Sequence, residues 1–137
     1  MANDGTWLEY EWRLDGNDAL FGVELALYRS APDSAVPLLC YFCCKADGQE
    51  LTEADTKRMS MLAQKCVKKT EQPCAGFVQT GNMRQYYFYV PSKTEYEALK
   101  EIASKEKKLE CRVGGKREED WATYFKLLYP DAAKPIQ

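Results

Sequence analysis

The chain has 137 residues, of which 45% are hydrophobic and 29% charged, with a formal net charge of −2; this predicts one soluble domain able to bury a core without disulfide staples. No apolar run approaches the roughly 20 residues of a membrane-spanning helix, and the lack of any histidine removes Ser-His and Cys-His nucleophiles and the commonest metal ligand. Charge is uneven: residues 1–56 hold 11 acids and 3 bases, and residues 57–90 hold 1 acid and 6 bases, so an acidic face suited to a basic protein, rather than to a nucleic acid, is expected.

The opening Met1-Ala2-Asn3-Asp4-Gly5 carries neither the basic nor the apolar stretch of a secretory leader, so a cytoplasmic location is expected. Trp7 to Leu14 then alternates strictly, with Leu8, Tyr10, Trp12 and Leu14 on one face and Trp7, Glu9, Glu11 and Arg13 on the other, the pattern of a half-buried strand. Asp15-Gly16-Asn17-Asp18 is turn chemistry, and Phe21, Val23, Leu25 and Leu27 mark the apolar face of a second strand. Residues 29–37, with Pro32 and Pro37, read as a connecting loop.

Leu38 to Cys44 is short and almost wholly apolar, as a strand buried on both faces should be. Thr52 with Asp55 has the form of a capping box, and Met59, Leu62, Ala63 and Cys66 continue at helical spacing to about Lys69. Cys74 to Thr80 and Met83 to Val90 read as strands joined at Gly81-Asn82. Ser92 with Glu95 caps a second helix whose buried stripe is Tyr96, Leu99, Ile102 and Ala103. Lys108 to Val113 is a last strand, and Gly114-Gly115 reads as a loop. The closing stretch predicts a docking helix from Glu118 to Tyr129: Trp121, Tyr124, Phe125 and Leu128 share one face, three acids occupy the first turn, and Pro130 stops it.

The order is ββ, then βαββαβ, then α. The middle six elements match a ferredoxin-like split unit, giving an α+β single domain over residues 1–137 with an added N-terminal hairpin and a C-terminal helix.

Candidate sites are few. A four-residue hairpin loop would set Glu9 opposite Glu24, with Glu11 on the same outward face, a like-charge arrangement costing up to ~1 kcal/mol. Glu9, Glu11, Arg13 and Glu24 are therefore the candidate surface for a basic protein partner, weighed against a merely solvated face. Arg84, Tyr86 and Phe88, with Tyr41, partly match the aromatic strands on which RNA-recognition-motif domains stack bases, although Gln85 and Tyr87 replace small residues of that pattern. The bland alternative for these aromatics is sheet packing, and for Lys57, Arg58, Lys65, Lys68 and Lys69 a solvated helix face. Cys40-x-x-Cys43 has the spacing of half a metal or redox site, but no second pair completes it and alternation points the two to opposite faces. Buried reduced thiols, with no metal or other cofactor, are expected.

Trp7-x-x-Tyr10, Tyr87-Phe88-Tyr89 and Asp120-Trp121-x-x-Tyr124-x-x-Leu127-Leu128-Tyr129-Pro130 together resemble a bacterial family of unknown function, number six-nine-five in the domain-of-unknown-function series. That family is similar in turn to the ferredoxin-like regulator of ribonuclease activity B, an inhibitor that binds an RNA-degrading enzyme. The resemblance implies no catalytic residues. Together with the acidic hairpin it sets the expectation of a non-enzymatic protein-binding inhibitor, an immunity protein against a toxin or a ribonuclease regulator. An RNA-binding module using the strand aromatics is the alternative, and an enzyme using cysteines or carboxylates comes third, because the activating neighbours are missing.

Overall fold

A computed structural model describes residues 6–130; Met1–Gly5, read above for a leader, lie outside the described residues. Strands β1 (Trp7–Leu14) and β2 (Asn17–Glu24) form a hairpin. Asp15 and Gly16 both have positive φ, 53° and 83°, which lets two residues close the turn with the twist that antiparallel strands need. The register follows: Leu14 pairs with Asn17, Trp7 with Glu24, and Glu9 with Gly22. The four-residue loop expected from the sequence is thus corrected to a two-residue one. Glu9, Glu11 and Glu24 still share a face because the shift is by two residues, but no two of them are directly opposed.

Strand β3 (Leu38–Lys45), helix α1 (Glu53–Thr70), strands β4 (Cys74–Thr80) and β5 (Met83–Val90), helix α2 (Lys93–Lys105) and strand β6 (Glu110–Arg117) follow in order. They join the hairpin in one antiparallel sheet ordered β1-β2-β4-β5-β3-β6. Both helices begin where their capping boxes place them. Thr52 Oγ1 accepts from Asp55 N at 3.0 Å while Thr52 N donates to the Asp55 carboxylate at 3.0 Å, and Ser92 with Glu95 repeats the exchange. Among the described residues no helix is long and apolar enough to cross a membrane.

Strand alternation divides the core in two. Cys40, Phe42, Cys44, Phe77, Tyr86 and Phe88 point to α1 and α2, meeting Met59, Leu62, Cys66 and Leu99. Tyr10, Phe21, Val23, Leu39, Val78, Tyr87 and Tyr89 point the other way and are roofed by Trp121, Tyr124 and Leu128 from the closing segment. Sheet and helices therefore bury one layer, and the C-terminal stretch buries the second.

Three elements differ from expectation. Strand β2 ends at Glu24 and Leu25–Arg29 forms a 3-10 turn, because the Glu24 carboxylate accepts the Ala26 amide at 3.2 Å and starts the turn. Strand β6 runs on through Gly114-Gly115. These glycines are needed inside the strand: a Cβ on Gly114 would run into the Tyr41 ring, and one on Gly115 would lie 2.9 Å from the Leu39 carbonyl. The closing helix starts later and is wider than expected. Glu118 to Asp120 precede it, Trp121 has a φ of 55°, and Thr123–Leu128 form a π turn closed by Tyr129 N donating to Tyr124 O at 2.8 Å. The cause is Glu118, whose side chain is drawn inward, accepting from Tyr89 Oη at 2.6 Å, Thr123 N at 2.9 Å and Thr123 Oγ1 at 2.8 Å. An acid that caps from the core cannot also stand in the helix's first turn. The burial of Trp121, Tyr124 and Leu128 matches the expectation.

Candidate functional site

Helices α1 and α2 leave the hairpin end of their sheet face uncovered. The result is a cleft of about 1070 Å³ with α1 as one wall, the hairpin as the other, and the sheet as floor. Its floor is aromatic because β2 carries Gly22 where a side chain would otherwise stand: a Cβ there would lie 2.5 Å from the Phe77 ring and 2.6 Å from Trp7. Those two rings meet over the glycine, their centroids 5.9 Å apart. Phe77 in turn packs edge-on against Tyr86 at 5.6 Å. Cross-strand pairing places Glu9, Gly22, Phe77 and Tyr86 in one row, and Glu11, Leu20, Gln79 and Arg84 in the next.

Arg84 is the unusual group. It is only 8% exposed, and no carboxylate lies within 4.0 Å of it among the described residues. Its guanidinium is held by Nε donating to Gln79 Oε1 at 2.8 Å and Nη1 donating to Tyr86 Oη at 3.0 Å, and it lies 4.1 Å from the centre of the Phe77 ring. Two neutral acceptors and a π face offset the cost of withdrawing an unpaired cation from water. Nη2 makes no hydrogen bond to a described residue, and no buried polar side-chain atom among those residues lacks a partner, so Nη2 is open to the cleft that Arg84 lines. Burial raises the Tyr86 phenol, with the Arg84 charge opposing, so Tyr86 stays a neutral hydroxyl.

The rims carry opposite preferences. On the hairpin side stand Glu9 and Glu24, diagonal neighbours across β1 and β2; on the α1 side stand Ser60, Gln64 and Lys68. Glu9 is exposed and accepts from Trp7 Nε1 at 3.0 Å. Glu24 is half-buried and also structural, accepting from Thr6 Oγ1 as well as from Ala26 N. Glu11 and Arg13 lie further along the same face, exposed, and do not line the cleft. Of the four acidic-hairpin candidates the fold thus brings Glu9 and Glu24 into one site and leaves Glu11 and Arg13 beside it. Cys74 also borders the cleft, its thiol pushed up to about 12 by burial.

The sheet divides the candidate stacking set. Phe88 is fully buried and Tyr86 3% exposed, both beneath the helices, so they present no face to a base. Arg84 and Tyr86 belong to the cleft instead. Only Tyr41 of the four lies on the face opposite α1 and α2, where its direct partners are Tyr87 and Gly114. Along β5 it is Gln85, Tyr87 and Tyr89 that share this face with Tyr41, and of these Tyr89 is covered by Trp121. Tyr41, Cys43, Lys45, Gln85 and Arg112 border a shallow depression of about 380 Å³ there.

Sequence reasoning had not singled out Trp7, Gly22, Phe77 or Lys68 as site residues. A glycine within the alternating Phe21 to Val23 stretch was the available signal, since such a glycine marks a close approach. Cys40 is buried on the helix side while Cys43 is half-buried on the other, as alternation required.

No curated protein and no solved structure matches the chain. Residues 5–129, nearly the whole sequence, match the family described as a family of unknown function, DUF695, and the chain belongs to that family.

Proposed function

We propose that this chain is a non-catalytic binding protein that takes a basic, partly apolar segment of another protein into the cleft between α1 and the hairpin. The observation that carries the reading is the juxtaposition of Glu9 and Glu24 with the Trp7–Phe77 floor: carboxylates at a rim attract Lys or Arg, and the rings receive their aliphatic stems or an adjacent apolar side chain. The finer reading is inhibition. A cytoplasmic domain that captures a basic surface of a toxin or ribonuclease would occlude the phosphate-binding groups such enzymes need. The strand order β4-β5-β3-β6 with both helices on one face supports a ferredoxin-like core extended at one edge by the hairpin. Cleft chemistry supports a non-enzymatic role, since Cys74 is held as the thiol and Tyr86 as a neutral hydroxyl beside the Arg84 cation.

The test is quantitative capture. A partner purified on the wild-type chain should lose its own enzymatic activity when the chain is added back. Glu9→Lys should weaken both capture and inhibition, reversal acting more strongly than Glu9→Gln because it adds repulsion to lost attraction. Equal capture and inhibition by all three would remove the cleft from the account.

A second reading has one observation in its favour. The Tyr41 ring lies over Gly114 on the face opposite α1 and α2, beside Lys45, Arg112 and Lys116, an arrangement suited to stacking a base and holding its phosphates. Fluorescence anisotropy with a single-stranded oligoribonucleotide tests it: binding lost in Tyr41→Ala and Arg112→Ala would favour RNA.

A further inference from the structure

Away from the cleft, at the other end of the sheet, Cys44 on β3 and Cys111 on the edge strand β6 are direct cross-strand partners with their sulfurs 3.8 Å apart and hydrogen-bonded. Directly opposed residues of an antiparallel pair hold their Cα atoms about 4.5–5.5 Å apart, within the roughly 4.4–6.8 Å that a disulfide spans. Both side chains lie on the helix-covered face, so no backbone turn is needed to bring them together. We propose that Cys44 and Cys111 form an oxidation site, a dithiol that hydroperoxides close to a disulfide tying the edge strand β6 to β3.

The two thiols are unequal in a way that orders the steps. Cys44 is fully buried, whereas Cys111 is half-buried at the sheet edge. Cys111 is the more easily ionised: the hydrogen bond with Cys44 lowers it, and the guanidinium of Arg58 works in the same direction against burial and the charges of Glu106 and Glu110. Cys44 is raised by that same hydrogen bond and by burial. The other four thiols, Cys40, Cys43, Cys66 and Cys74, are all pushed upward by burial first. The thiolate is the nucleophile, so attack begins at Cys111.

In the first step the Cys111 thiolate attacks the terminal oxygen of the hydroperoxide. The O–O bond breaks, the alcohol or water leaves with a proton, and Cys111 becomes a sulfenic acid. In the second step Cys44 gives up its proton as its sulfur attacks the Cys111 sulfur; the S–O bond breaks and water leaves. Two thiols and one hydroperoxide become one disulfide, one alcohol and one water, with two electrons passing to the oxidant. Cys43, next in sequence to Cys44, points to the opposite face and faces Arg112, so it cannot compete for Cys111.

The experiment treats the full chain, natively folded, with hydrogen peroxide, then counts remaining thiols in denaturant by alkylation and mass spectrometry. The expected result is loss of two of the six thiols, recovery of a cross-linked peptide pair containing Cys44 and Cys111, and return of both thiols with dithiothreitol. In Cys44→Ala the sulfenic acid should persist on Cys111 and be trapped by dimedone; in Cys111→Ser all five remaining thiols should survive the same dose. Six intact thiols in the wild type, a link through any other cysteine, or first reaction at Cys43 or Cys74 would overturn the proposal. The wild-type count decides even if a variant fails to fold.

Discussion

The indole of Trp121 lies flat on the phenol ring of Tyr89, centroids 4.0 Å apart and planes 6° from parallel. Trp121 Nε1 donates to the Val36 carbonyl at 3.2 Å, so the ring is fixed at both its face and its edge. Trp121→Ala should therefore cost about 3–5 kcal/mol in denaturant unfolding, from lost transfer energy and the cavity left behind. Alanine and tryptophan both carry a Cβ, so the strain of the positive φ at this position is common to both and the difference reports the ring. An unchanged midpoint would show that the closing segment does not roof the sheet.

Glu118 should matter nearly as much, although it touches no ligand in this account. Its carboxylate serves the Tyr89 hydroxyl and both polar groups of Thr123, and the Tyr89 hydroxyl also accepts the Tyr124 amide at 3.1 Å. The Tyr89 phenol is raised, by burial first and by this carboxylate second. Glu118→Ala leaves buried donors without an acceptor, at about 1–3 kcal/mol. Glu118→Gln should recover part of that, measured by the same unfolding curves.

Much of this architecture was legible locally. The two capping boxes fix α1 and α2, and alternation fixes the strands, because each signal is a contact within four residues. The closing helix departs from its periodicity because the decisive contact, Glu118 with Tyr89, spans 29 residues. Gly114-Gly115 looked like a loop because nothing in their own neighbourhood reveals the Tyr41 ring that requires them. In β5 both alternating sets are aromatic or amphipathic, so periodicity could not say which one faces the helices. The cleft is illegible for a related reason: residues 7, 22, 77 and 84 come from four strands and share no motif.

The corrected hairpin register separates Glu24 from Glu9. Glu24 initiates the 3-10 turn and holds Thr6, so Glu24→Ala should destabilise by about 0.5–2 kcal/mol, as loss of a helix cap does. Glu24→Gln, which the sequence register would have made stabilising, should not stabilise. Glu9→Ala, at an exposed position, should stay within about 0.5 kcal/mol of wild type. Thermal unfolding of the three variants checks the ranking.

Acid sensitivity has an identified contributor in Glu106, which binds Arg58 through two 2.8 Å hydrogen bonds and accepts the amides of Lys108 and Leu109. The Arg58 hydrogen bonds, outweighing burial, hold its carboxyl below the usual range. A depressed folded value means that the unfolded chain takes up this proton first, so the contribution is fully present above about pH 4.3, the ordinary Glu value, and is lost as pH falls through the folded value. Glu106→Gln should therefore be less stable than wild type at neutral pH, with the gap narrowing as pH drops below that value. A gap independent of pH would exclude the ion pair as its cause.

The most direct test of the cleft follows amide and indole resonances of the ¹⁵N-labelled chain during titration with a synthetic lysine–leucine peptide at low salt. Shifts should concentrate at the Trp7 indole, Glu9, Glu24, Gln64 and Lys68. Glu9→Lys should weaken binding roughly three- to tenfold, the scale of ~0.7–1.4 kcal/mol for reversing one rim charge, and added salt should weaken the wild type more than the variant. Unaltered affinity in Glu9→Lys, or shifts gathered instead around Tyr41 and Arg112, would contradict the account.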